Sequence, residues 1–189
     1  MAQPDTSQRI LDIAERLVQT RGYNGFSYAD IADALHVTKA SLHYHFPAKA
    51  DLGSRLIERY ERNFLAALEQ IDAEGKSAGE KLRRYAAIYE SVLRDNRMCL
   101  CGMLAAEFGT LPKPMREDMR HFFDVNEKWL VGILLQGKRE KTLKFPGSVA
   151  DAAQTLIGSL EGAMMIARSY GDVARFKAVS DRVLGDIGA

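Results

Sequence analysis

Residues 27–46 read SYADIADALHVTKASLHYHF, and this stretch decides the fold. Ser27 is suited to cap a helix in which Ile31, Ala32 and Leu35 recur at helical spacing, and Asp30 three residues on completes an approximate capping box. His36 and Val37 interrupt that pattern. Thr38 then offers a second cap ahead of Lys39, Ala40, Ser41, Leu42, His43, Tyr44, His45 and Phe46, and Pro47 cannot continue the helix. Two short helices joined by a tight turn make a helix-turn-helix.

The second of these helices has an unusual outer face. Leu42 and Phe46, four apart, turn inward, which leaves Thr38, Lys39, Ser41, His43, Tyr44 and His45 outside or flanking the core. From His36 to Lys49 there are two lysines, three histidines and no acid. Such a surface suits a phosphate backbone. His36 falls where a turn needs positive φ, a region that histidine tolerates better than most side chains.

The order of residues over about 8–55 resembles the TetR-like bacterial transcriptional regulators. The resemblance rests on Ser27, Ile31 and Ala32 in the first helix, on Val37, Thr38, Lys39 and Ala40 around the turn, and on Leu42, His45, Phe46, Lys49 and Leu52 beyond. Two positions depart from the pattern. The family usually has Gly where this chain has His36, and Tyr where it has His43, with the aromatic one place later as Tyr44. The resemblance implies contact with double-stranded DNA through Ser27, Thr38, Lys39, Ala40, Ser41, His43, Tyr44, His45 and Lys49.

Composition describes an ordinary globular chain: 189 residues, 47% hydrophobic, 27% charged, formal net charge +1. Residues 1–60 carry seven Lys or Arg against seven Asp or Glu, so any attraction to DNA is local to one face. The first residues show no charged-then-apolar leader, and no apolar run approaches the ~20 residues that cross a bilayer. A cytoplasmic protein with no membrane contact is expected. Cys99 and Cys101, the two cysteines, stand too close in sequence for an easy intrachain disulfide.

Beyond the motif the chain reads as helix after helix. A first helix over about 7–20 places Ile10, Ile13, Ala14 and Leu17 on one stripe. A long one over about 48–73 carries Leu52, Leu56, Tyr60, Phe64 and Leu68 and would connect two domains. Further helices are expected over about 78–95, 98–110, 114–140, 149–170 and 173–187, separated by Pro112, Pro114, Pro146, Gly147 and Gly171. No segment alternates with period two. The expected fold is all-α: an N-terminal three-helix DNA-binding domain with the helix-turn-helix over 1–47, then a C-terminal helical ligand-binding and dimerisation bundle over 48–189.

The last two helices carry two kinds of face. Between 149 and 170, Ala153, Leu156, Ile157, Leu160, Met164 and Ala167 form one, and the small residues Thr155, Gly158, Ser159 and Gly162 another. The final helix aligns Phe176, Val179, Val183 and Ile187. Burial within one chain and pairing with a second copy both fit these stripes. The family resembled pairs these helices in a four-helix interface, which implies a homodimer through Leu156, Ser159, Leu160, Ala163, Phe176, Val179 and Val183.

The middle helices are rich in aromatic and thioether side chains that can line an adaptable apolar cavity. Tyr89, Met98, Cys99, Met103, Phe108, Phe122, Trp129 and Met164 are the candidates to touch an unknown small-molecule effector. By resemblance, such an effector releases a repressor from a palindromic operator. A variant of this reading makes the chain an electrophile or redox sensor, with an exposed Cys99 or Cys101 thiolate near Arg97 or a helix N-terminus. On a helix those two residues diverge by about 200°, so one at most faces a given cavity.

An enzyme or a scaffold without DNA function is the rival class. The chain lacks GxGxxG, GxxxxGK followed by Ser or Thr, HExxH, GxSxG and paired CxxC. His43 and His45 lie on different helix faces and are poor joint metal ligands. Glu90, Glu107 and Glu161 sit in otherwise apolar helices, where an inward carboxylate could act as an acid or as a polar ligand contact. Neither enzymatic activity, nor a cofactor, nor a bound metal is expected.

Overall fold

The computed structural model describes residues 5–189, and the first four residues, where the leader reading begins, lie outside it. Nine α-helices and no strand are found among the described residues. They are α1 (Thr6–Arg21), α2 (Tyr28–Leu35), α3 (Lys39–His45), α4 (Lys49–Glu74), α5 (Ala78–Arg94), α6 (Leu100–Ala106), α7 (Lys113–Arg139), α8 (Val149–Ser169) and α9 (Val173–Asp186). A 3₁₀ turn, Phe108–Thr110, follows α6.

The chain divides into two compact units. Of the described residues, the first comprises 5–62 and 100–122, hence α1 to α3, the start of α4, α6 and the start of α7; the second comprises 63–99 and 123–189.

In the first unit α1 braces the motif. Its buried stripe is Ile10, Leu11, Ala14 and Val18, while Ile13 and Leu17 are only half-buried, so the helix is rotated slightly from its expected pose. Ile31, Ala32, Leu35, Leu42 and Phe46 meet that stripe's side of the core as their spacing requires. Arg59 of α4, 11% exposed, reaches Asp12 and Glu15 of α1, each at 2.6 Å, and ties the two helices together.

In the second unit α8 packs chiefly on α9, and both pack on α5. Ser148 and Asp151 form a reciprocal capping box that starts α8. The inward residues are Ala153, Leu156, Leu160, Ala163, Met164 and Ala167 of α8 and Phe176, Ser180 and Leu184 of α9. The expected apolar stripe of α9 is therefore divided. Phe176 faces inward, whereas Val179 remains 39% exposed and Val183 half-buried.

The single helix expected over 98–110 is also divided. Met98 and Cys99 precede α6, and the helix stops at Ala106 because Glu107 turns away to serve the backbone of residues 23 and 24.

Candidate nucleic-acid interface

The turn between α2 and α3 is built from local hydrogen bonds. Ser27 Oγ accepts from the Ala29 amide at 3.2 Å, and Asp30 Oδ2 accepts from the Ser27 amide at 2.8 Å and from its hydroxyl at 2.9 Å. These bonds hold the Asp30 carboxyl below the usual carboxylate range. At the other end, the His36 amide donates to Asp33 O at 3.3 Å and the Val37 amide to Ala32 O at 3.0 Å. This is the Schellman pattern, in which the residue after the helix must be left-handed. That residue is His36, with φ 54° and ψ 45°. Thr38 Oγ1 then accepts from the Ser41 amide at 3.3 Å and starts α3.

With the turn fixed, α3 presents its polar face outward. Thr38, Lys39, Ala40, His43 and Tyr44 are exposed, and Ser41 and His45 are half-buried. Tyr44 is 85% exposed, an aromatic ring that the chain's own core does not use. His45 meets it edge to face, centroids 5.2 Å apart. His43 lies 4.8 Å from the Tyr28 ring, and its Nδ1 stands 3.1 Å from Pro47 O. A carbonyl accepts only, so Nδ1 carries the proton of this bond. Tyr28 itself donates its hydroxyl to Phe46 O at 2.8 Å, satisfying the C-terminus of α3. Burial and the nearby Asp51 push the Tyr28 phenol up to about 12.

Lys49 is placed differently from the other candidates. Its ammonium donates to Tyr23 O at 2.5 Å and to Phe26 O, and it lies 4.6 Å and 4.1 Å from the centroids of the Tyr23 and Phe26 rings. Two of its three N–H groups are committed to the chain's own backbone, and burial lowers its pKa. Lys49 fastens the loop before α2. It still borders a groove with Ser27, Lys39 and His43.

Glu107, one of the three acids of the helical segments, serves the loop before α2. Instead of facing a cavity, its carboxylate accepts from the Tyr23 amide at 2.5 Å, the Asn24 amide at 3.2 Å and Asn24 Nδ2 at 3.2 Å. Gly22 lies beneath it with φ 83°, where a Cβ would come within 2.9 Å of Oε1. Glycine is needed there on both counts.

The candidates for effector contact fall in both units. Met103, Phe108 and Phe122 belong to the first; there Phe108 lies under the Arg116 and Arg120 guanidinium groups, at 5.2 and 4.9 Å, and Phe122 against Tyr60. Tyr89, Met98, Cys99, Trp129 and Met164 belong to the second, all buried except the half-buried Trp129. Cys99 and Cys101 are 2% and 0% exposed. The exposed thiolate of the electrophile-sensor variant is not found, because both residues are buried. Of the three acids, Glu90 pairs with Arg94 at 2.5 Å, Glu107 clamps the loop, and Glu161 alone turns inward without a salt bridge.

Of the dimer candidates, Leu156, Leu160, Ala163 and Phe176 are buried in their own chain, which leaves Ser159, Val179 and Val183 to offer surface. Beside them Gly158, Gly162, Ile166, Arg175 and Ala178 line a shallow groove, and Ile166 is 56% exposed.

A capped helix pair whose second helix has an acid-free outer face, set in a small three-helix head, defines a helix-turn-helix DNA-binding protein. Comparison with known proteins agrees. Residues 10–56 match the model for bacterial regulatory proteins of the tetR family, and residues 78–183 match that for the tetracyclin repressor-like C-terminal domain. A TetR-family regulator from Agrobacterium tumefaciens superimposes with TM-score 0.93 at 32% identity, covering 97% of each chain. One from Legionella pneumophila gives 0.90 at 35% identity, covering 99% of this chain and 100% of that one. The transcriptional repressor DhaR of Mycobacterium sp. (strain GP1) is 25% identical over 87% of this chain and 83% of its own. The chain belongs to the TetR family and is a transcriptional regulator.

Proposed function

We propose that this regulator is a repressor that binds a palindromic operator as a homodimer and leaves it when a small-molecule effector binds the helical bundle. The observation that carries this reading is the exposed α3 face around Tyr44, a ring 85% exposed whose contact is with its neighbour His45. Lys39, Thr38 and Ser41 serve phosphates, while Tyr44 and His43 Nε2 meet base edges or sugar. Residues 1–47 form the DNA-binding division and 48–189 the effector-binding and dimerisation division. The protein works in the cytoplasm, without a cofactor and without catalysis.

Dimerisation is supported by the outer face of α8 and α9, where Met165, Ile166, Tyr170 and Val179 are exposed apolar groups. Gly158 and Gly162 allow close approach of a partner helix. One head makes few phosphate contacts, and a second half-site about 34 Å away, or a multiple of it, multiplies affinity. The effector acts by binding one bundle conformation better than the other, and α4, which begins beside the motif, carries the change.

The test is an Ile166→Asp, Val179→Asp variant. It is expected to sediment as a folded monomer and to lose palindrome binding while keeping weak, salt-sensitive attachment to any duplex. A monomer that bound the palindrome as tightly as the parent would overturn the reading.

A further inference from the structure

Inside the second unit three polar side chains close a ring. Tyr85 Oη donates to Asn126 Oδ1 at 2.8 Å, Asn126 Nδ2 donates to Tyr89 Oη at 3.3 Å, and the two hydroxyls lie 2.9 Å apart. Each phenol has one proton. Tyr85 has given its proton to Asn126, so Tyr89 must donate to Tyr85. The ring is closed, and neither hydroxyl has a proton left for another acceptor. Phe64 and Trp129 pack on it, with Trp129 stacked 5.5 Å from Tyr85 and its indole N–H held by Asp72 at 2.9 Å.

Glu161 of α8 lies near this ring and gains nothing from it. Both carboxylate oxygens are sealed from solvent, and neither meets a hydrogen-bond partner of good geometry. The Cys99 thiol is a weak donor beside it. A buried carboxylate with one weak thiol donor and no counter-charge is costly in any fold. Its neighbours Tyr85 and Tyr89 are phenols whose own pKa values are raised by burial, so they stay neutral.

We propose that Glu161 is the anchor for a cationic nitrogen on the effector, an arylalkyl ammonium or amidinium whose N–H groups satisfy the carboxylate while its ring packs against Tyr89 and the neighbouring aromatics. This assignment rests on the proposed effector-binding role of the bundle and names the chemistry that role requires. An anionic effector would be repelled, and a neutral one can donate a hydrogen bond but brings no counter-charge. The thioethers of Met98 and Met164, both buried in this unit, can adapt to the ring. Burial raises the Glu161 carboxyl to about 7. A bound cation holds it ionised, so binding near neutral pH releases protons.

Trp129, the single tryptophan, reports on the site. The full-length protein, without DNA, is titrated with benzylammonium, 2-phenylethylammonium and naphthylmethylammonium, and with their alcohol counterparts, by Trp129 fluorescence and by calorimetry in buffers of different ionisation enthalpy. At least one ammonium probe is expected to bind tighter than its alcohol with proton release, and Glu161→Gln to weaken it about 10- to 100-fold. Cys99→Ser, which gives Glu161 a stronger internal donor, weakens the same probe and keeps the proposal testable should the Gln variant misfold. Equal affinity for parent and Glu161→Gln overturns the assignment. So does failure of every ammonium probe to bind below about 1 mM. Release of operator DNA is measured separately. Cation binding without release keeps the site and removes the repressor mechanism; release by compounds indifferent to Glu161 keeps the mechanism and removes the site.

Discussion

The α2–α3 motif and the ring around Tyr85 are both polar constructions, and they solve opposite problems. In the motif the hydrogen bonds that start α2 and α3 and form the turn between them are local, between residues two to five apart, and the side chains left over point outward. In the bundle the bonds cross from one helix to another, Tyr85 to Asn126 being 41 residues apart, and the group left over points inward. An outward surplus meets a large partner that need not enter the fold. An inward surplus calls for a small one that supplies what the interior lacks.

Removing the outward surplus has the largest expected effect. A Lys39→Ala, Tyr44→Ala variant loses about 2–6 kcal/mol of specific operator binding, since each good contact is worth roughly 1–3 kcal/mol. Its thermal stability is unchanged. Electrophoretic titration on operator and scrambled duplex checks this, and full retention would break the comparison on the head side.

The inward surplus has its own signature in stability. A carboxyl raised in the folded state keeps its proton where the unfolded chain has lost it. The contribution is thus complete at pH below about 4.5, declines as pH rises toward 7, and is gone above it. Glu161→Gln is therefore neutral at pH 4.5 and stabilising at pH 8 by up to about 3 kcal/mol, readable as the difference between denaturant midpoints. The same substitution is predicted to weaken ammonium-probe binding about 10- to 100-fold. A variant equally stable at both pH values relative to the parent would show that Glu161 is served in solution.

A smaller effect belongs to the Glu107 clamp. Glu107→Ala leaves the Tyr23 and Asn24 amides without their acceptor and costs about 1.5–3 kcal/mol, seen as a lowered Tm and faster exchange of those two amides. The smallest sits at the turn. His36→Gly relieves the left-handed backbone and stabilises by about 1 kcal/mol. A destabilised His36→Gly variant would mean that the imidazole makes a compensating contact.

How much was legible in the sequence follows the same division. Ser27 with Asp30, the turn at His36, the cap at Thr38 and the inward Leu42 and Phe46 could all be read, because caps and periodicity act over three or four residues. The helix order could be read for the same reason. Lys49 reads as a phosphate contact from its place beside the motif, and the carbonyls of Tyr23 and Phe26 that also take its N–H groups lie 26 and 23 residues away. Glu90, Glu107 and Glu161 were indistinguishable, since what separates them is a neighbour one turn away for the first and 84 residues away for the second. The apolar stripe of α9 was read whole, although only the packing of α8 decides that Phe176 turns in while Val179 stays out.

The measurement that tests the central claim most directly is selection of bound sequences from a random duplex pool, followed by salt titration of the winner and a scrambled duplex. The account predicts an enriched palindrome whose binding exceeds the scrambled duplex by about 10³-fold or more at physiological salt. Weak, salt-sensitive binding that does not distinguish the two duplexes would contradict it.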